Sequence, residues 1–391
     1  MMAFLPMTDD AMSINNSTFD KPRLFTSSLP VSEKVTTPCN FITFLGAAQK
    51  LQVPFLPITW QSKRQLLGRG GTSRINQALM NLQTSFAFKR VADMDKLDKP
   101  ETEIFQRLIN EITMLRHPAV QNHPNILELQ GICWDIASEK TQSGTEAAAP
   151  YPQTDDKVWP ALVFEKSHFE DLYRFARRPT GRELGINERL KICTDIGSAI
   201  AHMQSNLIIH GDIKPENVLV FKSDDGSFTA KVADFGFSTW YANSNTSVAV
   251  PQSWPWYAPE CDEYAQFASA QAVKTDVFSF GMLCLWFMFE KYLSGVLPLP
   301  KTAQAASASH YYKNVDPSLG VLDELKKKGS LAEFATQLVM AEAGFDAEKK
   351  QILQYFFNGC LACDPGARDM DIQHSLKRMN IYDRGIFSGR E

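Results

Sequence analysis

The tightest constraint in this chain is one polar loop set among short apolar runs. Residues 207–209 and 218–221 are strand-sized and apolar, and between them the sequence reads His210-Gly-Asp-Ile-Lys-Pro-Glu-Asn217. A third run, 228–233, leads into Asp234-Phe-Gly236, and Asp225-Gly226 before it predicts a tight hairpin. His210, Asp212, Lys214, Asn217 and Asp234 therefore gather at strand ends, where a scaffold can aim them at a common point. Loops held on rigid elements are where functional groups concentrate. A merely solvated loop gives no reason for this set in this order.

The flanking patterns set the architecture. Residues 64–67, 74–79 and 85–91 read as short strands, followed by an amphipathic helix over 102–115 with Ile104, Leu108, Ile112 and Leu115 on one face. Strand candidates at 126–132 and 161–165 come next, separated by an Ala/Pro/Thr/Gln-rich surface loop at 138–156. A helix over 188–204 precedes the β island, and helices resume near Thr275 and run to about Met379. The expected fold is α+β and bilobal: a small β-rich lobe with one helix over 61–165, then a larger helical lobe over 166–380. Residues 1–40 read as a disordered tail, 41–60 as an apolar extension packing on the lobes, and 381–391 as a C-terminal tail.

Bulk composition narrows the function classes. The 391 residues are 44% hydrophobic and 21% charged, with a net charge of −4, so no broad basic surface calls for nucleic acid. Seven cysteines scattered through a long chain fit a reducing compartment, so a cytoplasmic location, with the nucleus as a further one, is expected. The start lacks a basic n-region, so no signal peptide is expected. The longest apolar run, 277–289, is short for a membrane span, which needs roughly 20 residues, and reads as a core helix. Cys360 and Cys363 read as buried helix cysteines, and Lys326-Lys-Lys328 as a solvated helix end.

Phosphoryl transfer needs a cradle and a cation for phosphates, acidic ligands for Mg²⁺, and an acceptor near the incoming hydroxyl. Gly68-Arg-Gly70-Gly71-Thr-Ser73-Arg-Ile75 lies between two strand candidates, where glycines let backbone N–H groups approach a phosphate. No Gly-Lys-Ser/Thr follows, which excludes a Walker A loop. Lys89 ends the run Phe86-Ala-Phe88, and Glu111 borders the apolar face of the 102–115 helix, where it can meet Lys89. Asp212 can orient a hydroxyl, Lys214 can reach the moving phosphate, and Asn217 and Asp234 offer oxygen to a metal.

In this order the segments resemble the eukaryotic protein kinase signature set, over about residues 61–380. Gly68, Gly70 and Ile75 match the glycine-rich loop, with Ser73 at its third glycine position. Lys89, Glu111, the 210–217 loop, Asp234-Phe-Gly236 and Ala258-Pro-Glu260 match in turn. The resemblance implies ATP and Mg²⁺ as cofactors and a protein substrate. It also implies adenine bound by the backbone of Glu165 and Ser167 beside a gatekeeper at Phe164. Asp276 is implied to hold the catalytic-loop backbone, Arg368 to pair with Glu260, and Ser253 to contact Asp212 and Lys214. Lys214 and Ser253 favour serine/threonine acceptors.

Two departures matter. Gly211 stands where the family has an arginine that pairs with a phosphorylated activation segment, so weaker dependence on such phosphorylation is expected. Ser73 stiffens the phosphate loop. Two rival readings stay open. One is a pseudokinase scaffold, although all five key groups are present. The other is a small-molecule kinase of the aminoglycoside or choline type, which shares His-Gly-Asp but not Lys214, Asp-Phe-Gly or the Glu260, Asp276 and Arg368 set. The oligomeric state is not encoded in any motif.

Overall fold

The computed structural model describes residues 39–57, 65–69, 73–79, 85–91, 100–137, 157–223, 225–241, 246–300, 316–368, 372 and 376. Residues 1–38 of the predicted tail at 1–40, the tail at 381–391, the loop at 138–156 and Gly70 lie outside the described residues, while Asn40, expected in that tail, caps the first helix.

An N-terminal helix, α1 (Phe41–Lys50), precedes three strands, β1 (Gln65–Arg69), β2 (Ser73–Leu79) and β3 (Ser85–Val91). Helix α2 (Glu101–Leu115) follows, then β4 (Leu129–Ala137) and β5 (Lys157–Glu165). The five strands form one antiparallel sheet in the order β1-β2-β3-β5-β4. Helix α2 starts after Pro100 with Glu101 and Glu103 in its first turn, where acidic groups favour the helix dipole. Its buried stripe is Ile104, Phe105, Leu108, Glu111, Ile112 and Leu115. A carboxylate on an otherwise apolar stripe needs a partner, and the sheet supplies it.

The 126–132 strand expected from sequence is shifted. Regular pairing begins at Leu129, because the preceding residues turn to the other lobe: the Leu127 N–H donates to the Val232 carbonyl (2.9 Å) and the Val232 N–H to that of Asn125 (2.8 Å).

The larger lobe begins with α3 (Leu172–Arg177), α4 (Pro179–Glu183) and α5 (Ile186–Ser205). The β island comprises β6 (Ile208–Ile209), β7 (Val218–Lys222) and β8 (Phe228–Val232), with β9 (Thr239–Trp240), β10 (Ser247–Ala249) and β11 (Gln266–Ala268) beyond it. β7 and β8 form the expected hairpin, closed by the Lys222–Phe228 pair. Its connection is therefore longer than a two-residue turn, and the Gly226 N–H donates to the Ser223 carbonyl (2.9 Å) inside it.

Helix α6 (Ser269–Leu293) starts earlier than the expected Thr275 and has 25 residues. Among the described residues it is the one helix long and apolar enough to cross a membrane, yet 89% of its most apolar window is buried by the rest of the lobe. A helix apolar on every face suits the centre of a large domain. Helices α7 (Pro317–Lys327), α8 (Leu331–Ala341) and α9 (Ala347–Cys360) complete the lobe. Cys360 ends α9 buried, whereas Cys363 lies past the helix and is exposed, which corrects its expected burial.

The lysine triplet also divides. Lys326 is 3% exposed, while the side chains of Lys327 and Lys328 are 62% and 52% exposed. Helical phase explains the split, since Lys326 falls four residues after Leu322 and shares its inward face. Its Nζ donates to the carbonyls of Pro255 (2.8 Å) and Tyr257 (3.2 Å), and sits 3.6 Å from the centre of the Tyr257 ring.

Candidate active site

A cleft of about 770 Å³ is lined by Lys89, Glu111, Phe164, Asp212, Asn217 and Asp234, among others. That volume suits a small-molecule or cofactor site.

On one wall, Lys89 sits mid-strand in β3, paired with Ile75 on one side and Leu162 on the other. Its Nζ donates to both Glu111 carboxylate oxygens (2.7 Å each) and to Asp234 Oδ1 (2.7 Å). Burial alone would lower the lysine pKa, but the charges of Asp234 and Glu111 overcome it and hold the ammonium protonated far into the alkaline range. Burial pushes the Glu111 carboxyl up to about 7, against the pull of Lys89. Burial also opposes ionisation of Asp234, yet Lys89 brings that carboxyl down to about 2. The Asp234 side chain remains 40% exposed to the cleft. Asp234 holds φ at +64°, a left-handed conformation that costs on the order of 1–3 kcal/mol and is worth noting where it occurs at a site.

The opposite wall is the 210–217 loop. Asp276 on α6 accepts the His210 N–H at Oδ2 (2.7 Å) and the Gly211 N–H at Oδ1 (2.9 Å). Burial pushes the Asp276 carboxyl up to about 7, opposed by those two N–H groups. His210 is fully buried, and burial lowers its pKa. Its Nδ1 accepts the Asp212 N–H (3.3 Å), so the neutral ring donates through Nε2 to the Ala233 carbonyl (3.1 Å). The loop is thus tied to α6 on one side and to the residue before Asp234 on the other.

Asp212 has polar partners around its carboxylate. Lys214 Nζ donates to Oδ2 (2.6 Å), Ser253 Oγ to Oδ1 (2.6 Å), and Asn217 Nδ2 to Oδ2 (3.0 Å) and to the Asp212 carbonyl (2.8 Å). Lys214 also donates to Ser253 Oγ (2.9 Å). The loop and Ser253, far apart in sequence, meet on one carboxylate.

Gly211 has φ +83°, and a Cβ there would lie 3.1 Å from the Phe237 carbonyl oxygen. Glycine is therefore the residue this backbone favours.

The remaining sequence candidates fall as follows. Gly68 lies in β1 opposite Ile75, next to a break in the β1–β2 register, and Ser73 opens β2. Glu165 ends β5, with its carboxylate 2.5 Å from Lys231 Nζ. Ser167 is buried, and its hydroxyl donates to the Glu170 carbonyl (3.0 Å). Phe164 is buried at the cleft wall. Farther off, Arg368 donates to both Glu260 oxygens (2.7 and 2.8 Å). Lys326, which holds the chain just beyond Ser253, was missed from sequence; the signal for it was its helical spacing from Leu322.

The family comparison agrees with this geometry. The protein kinase domain family matches residues 61–376. The chain belongs to the protein kinase family. A Dictyostelium discoideum protein described as "Probable serine/threonine-protein kinase pats1" is 30% identical over 233 residues, which is 57% of this chain and 6% of that protein. The Arabidopsis thaliana "Cysteine-rich receptor-like protein kinase 11" is 27% identical over 268 residues, 65% of this chain and 35% of its own. "Leucine-rich repeat receptor protein kinase EMS1", also from Arabidopsis thaliana, is 28% identical over 241 residues, 60% of this chain and 17% of its own. The kinase domain here thus spans about a third or less of each of these relatives.

Proposed function

We propose that this kinase is catalytically active and transfers the γ-phosphate of ATP to serine or threonine hydroxyls of protein substrates. The observation that carries the reading is the Asp212 carboxylate, set among Lys214, Ser253 and Asn217 and facing the cleft that Lys89 and Asp234 line. Asp212 orients the acceptor hydroxyl and takes up its proton as the new bond to the γ-phosphorus forms and the bond from that phosphorus to the β–γ bridging oxygen breaks, releasing ADP. Lys214 stands beside the moving phosphoryl group. Lys89 grips the phosphates, and Glu111 keeps its ammonium in place. The backbone of Glu165 and Ser167 takes the adenine beside Phe164, and the family resemblance assigns Gly68, Gly70, Ser73 and Ile75 to the phosphates.

The donor set fits Mg²⁺. Asp234 offers a low-pKa carboxylate, and Asn217 uses Nδ2 on Asp212, which leaves its amide oxygen for a hard cation. When bound, the ion neutralises charge on the transferring phosphate. Ser253 bridging Asp212 and Lys214 supports a serine/threonine preference, as does the likeness to the Dictyostelium serine/threonine-protein kinase.

The test is a peptide array spanning serine, threonine and tyrosine acceptors, read with radiolabelled Mg·ATP for the wild type and Asp212→Asn. Label should appear on serine and threonine peptides, and the variant should lose about 10²–10⁴-fold in turnover while still binding ATP. Equal turnover in the variant removes Asp212 from its role. A wild type that binds ATP without transferring phosphate makes the protein a scaffold instead.

A further inference from the structure

Residues 39–56 form a built clamp on the helix that carries Glu111. Helix α1 is fixed at its start by a reciprocal cap, with the Thr43 N–H donating to Asn40 Oδ1 (3.0 Å) and the Asn40 N–H to Thr43 Oγ1 (2.7 Å). Phe44 and Ala48 on α1 are fully buried. Both Phe44 and Phe41 meet Phe105 of α2, with ring centroids 6.2 and 6.3 Å apart, and Phe105 stacks on Trp159 of β5 at 5.3 Å. At the other end of α2, Arg116 donates to the carbonyls of Leu51 (3.3 Å) and Gln52 (3.2 Å). The chain then joins the sheet. The Leu56 N–H donates to the Ile132 carbonyl (2.8 Å), the Ile132 N–H donates to that of Pro54 (2.9 Å), and Phe55 stacks on Trp134 at 5.5 Å. Gly131 makes the seat: a Cβ there would lie 2.6 Å from the Pro54 oxygen and 2.8 Å from Leu56 Cγ.

Helix α2 is thus held at both ends by one segment that is itself anchored to β4. On the cleft side α2 is met by the Glu111–Lys89 pair, by a hydrogen bond from the Phe235 backbone to Glu111, and by Arg107 over the Phe237 ring at 4.5 Å. Close-packed aromatic contacts transmit small displacements, and Lys89 loses a 2.7 Å partner if α2 moves by an ångström or so.

We propose that α1 and the strap after it hold α2 where Glu111 meets Lys89, which makes Phe44, Arg116 and Gly131 positioning residues for phosphate transfer. The idea rests on the kinase reading above for its catalytic consequence. Its structural half stands apart from it.

The experiment compares full-length wild type, Phe44→Ala, Phe44→Leu and Gly131→Val. Amide hydrogen exchange is read over α1, α2 and α6, alongside turnover at saturating Mg·ATP. In Phe44→Ala and Gly131→Val, α2 amides should exchange on the order of tenfold faster while α6 keeps its protection. Turnover should fall on the order of tenfold at saturating ATP, and Phe44→Leu should restore both. The proposal is overturned if α1 exchanges as open chain while α2 protection and turnover stay at wild-type values. It is also overturned if α2 and α6 lose protection equally, since α1 would then be ordinary core. A wild type without transfer activity counts against the kinase reading alone, because the exchange data still decide the coupling.

Discussion

Two ion pairs in this molecule look alike at first and differ in what surrounds them. Lys89–Glu111 and Arg368–Glu260 both join distant segments at 2.7 Å, and in both the cation is largely shielded from water. Arg368 spends every guanidinium N–H inside the protein. Its Nε donates to Ala362, Nη1 to Glu260 and Lys274, and Nη2 to Glu260 and Cys363. Nothing is left over for a ligand. Lys89 faces two carboxylates with one positive charge, and one of them, Asp234, is 40% open to a cleft. That corner keeps an exposed carboxylate oxygen beside the Lys89 ammonium, which suits a divalent cation. A saturated pair marks architecture; an unbalanced pair at a cavity marks chemistry.

The contrast can be broken by substitution. Arg368→Met should give the largest loss of stability, about 3–5 kcal/mol, because Glu260 is left without its partner and three carbonyls lose donors. Urea denaturation measures it, and a loss under about 1 kcal/mol would show the pair to be dispensable. Lys326→Met should cost less, about 1–3 kcal/mol, by leaving the Pro255 and Tyr257 carbonyls unpaired. If Lys326 only fills space there, calorimetry will show methionine to be neutral. Gly211→Ala should have the smallest effect, about 1–2 kcal/mol, from placing a Cβ at φ +83°. An unchanged melting temperature would mean that the loop relaxes away from Phe237.

How much of this was legible in the sequence depends on the reach of each contact. The β island and its loop were readable because Asp212, Lys214 and Asn217 lie within a few residues of one another and strand signals bracket them. Helix α2 followed from its periodicity and the sheet strands from short runs between turns, although the 126–132 strand was set too early and the 161–165 strand too short. Glu111 was placed by helical phase, since it borders the stripe of Leu108 and Leu115, and by the kinase resemblance. Lys326 was misread because a run of lysines resembles a solvated end until its register with Leu322 is considered. The start of α6 was set too late because Ser269 and Ala272 are buried by neighbours, not by any pattern of their own. The seat at Gly131 was invisible: a glycine in a strand does not announce that Pro54 and Leu56 lie against it.

The most direct measurement is phosphate transfer per folded molecule at saturating Mg·ATP, for Lys89→Met beside Arg368→Met, at a temperature where both variants are folded. An unbalanced site and a saturated strut predict opposite outcomes. Lys89→Met should lose about 10²–10³-fold in rate, the range seen when one preorganised charge-stabilising donor is removed. Arg368→Met should keep the wild-type rate within about twofold while melting earlier. Equal rates in the two variants, or the larger loss in Arg368→Met, would contradict the distinction between them.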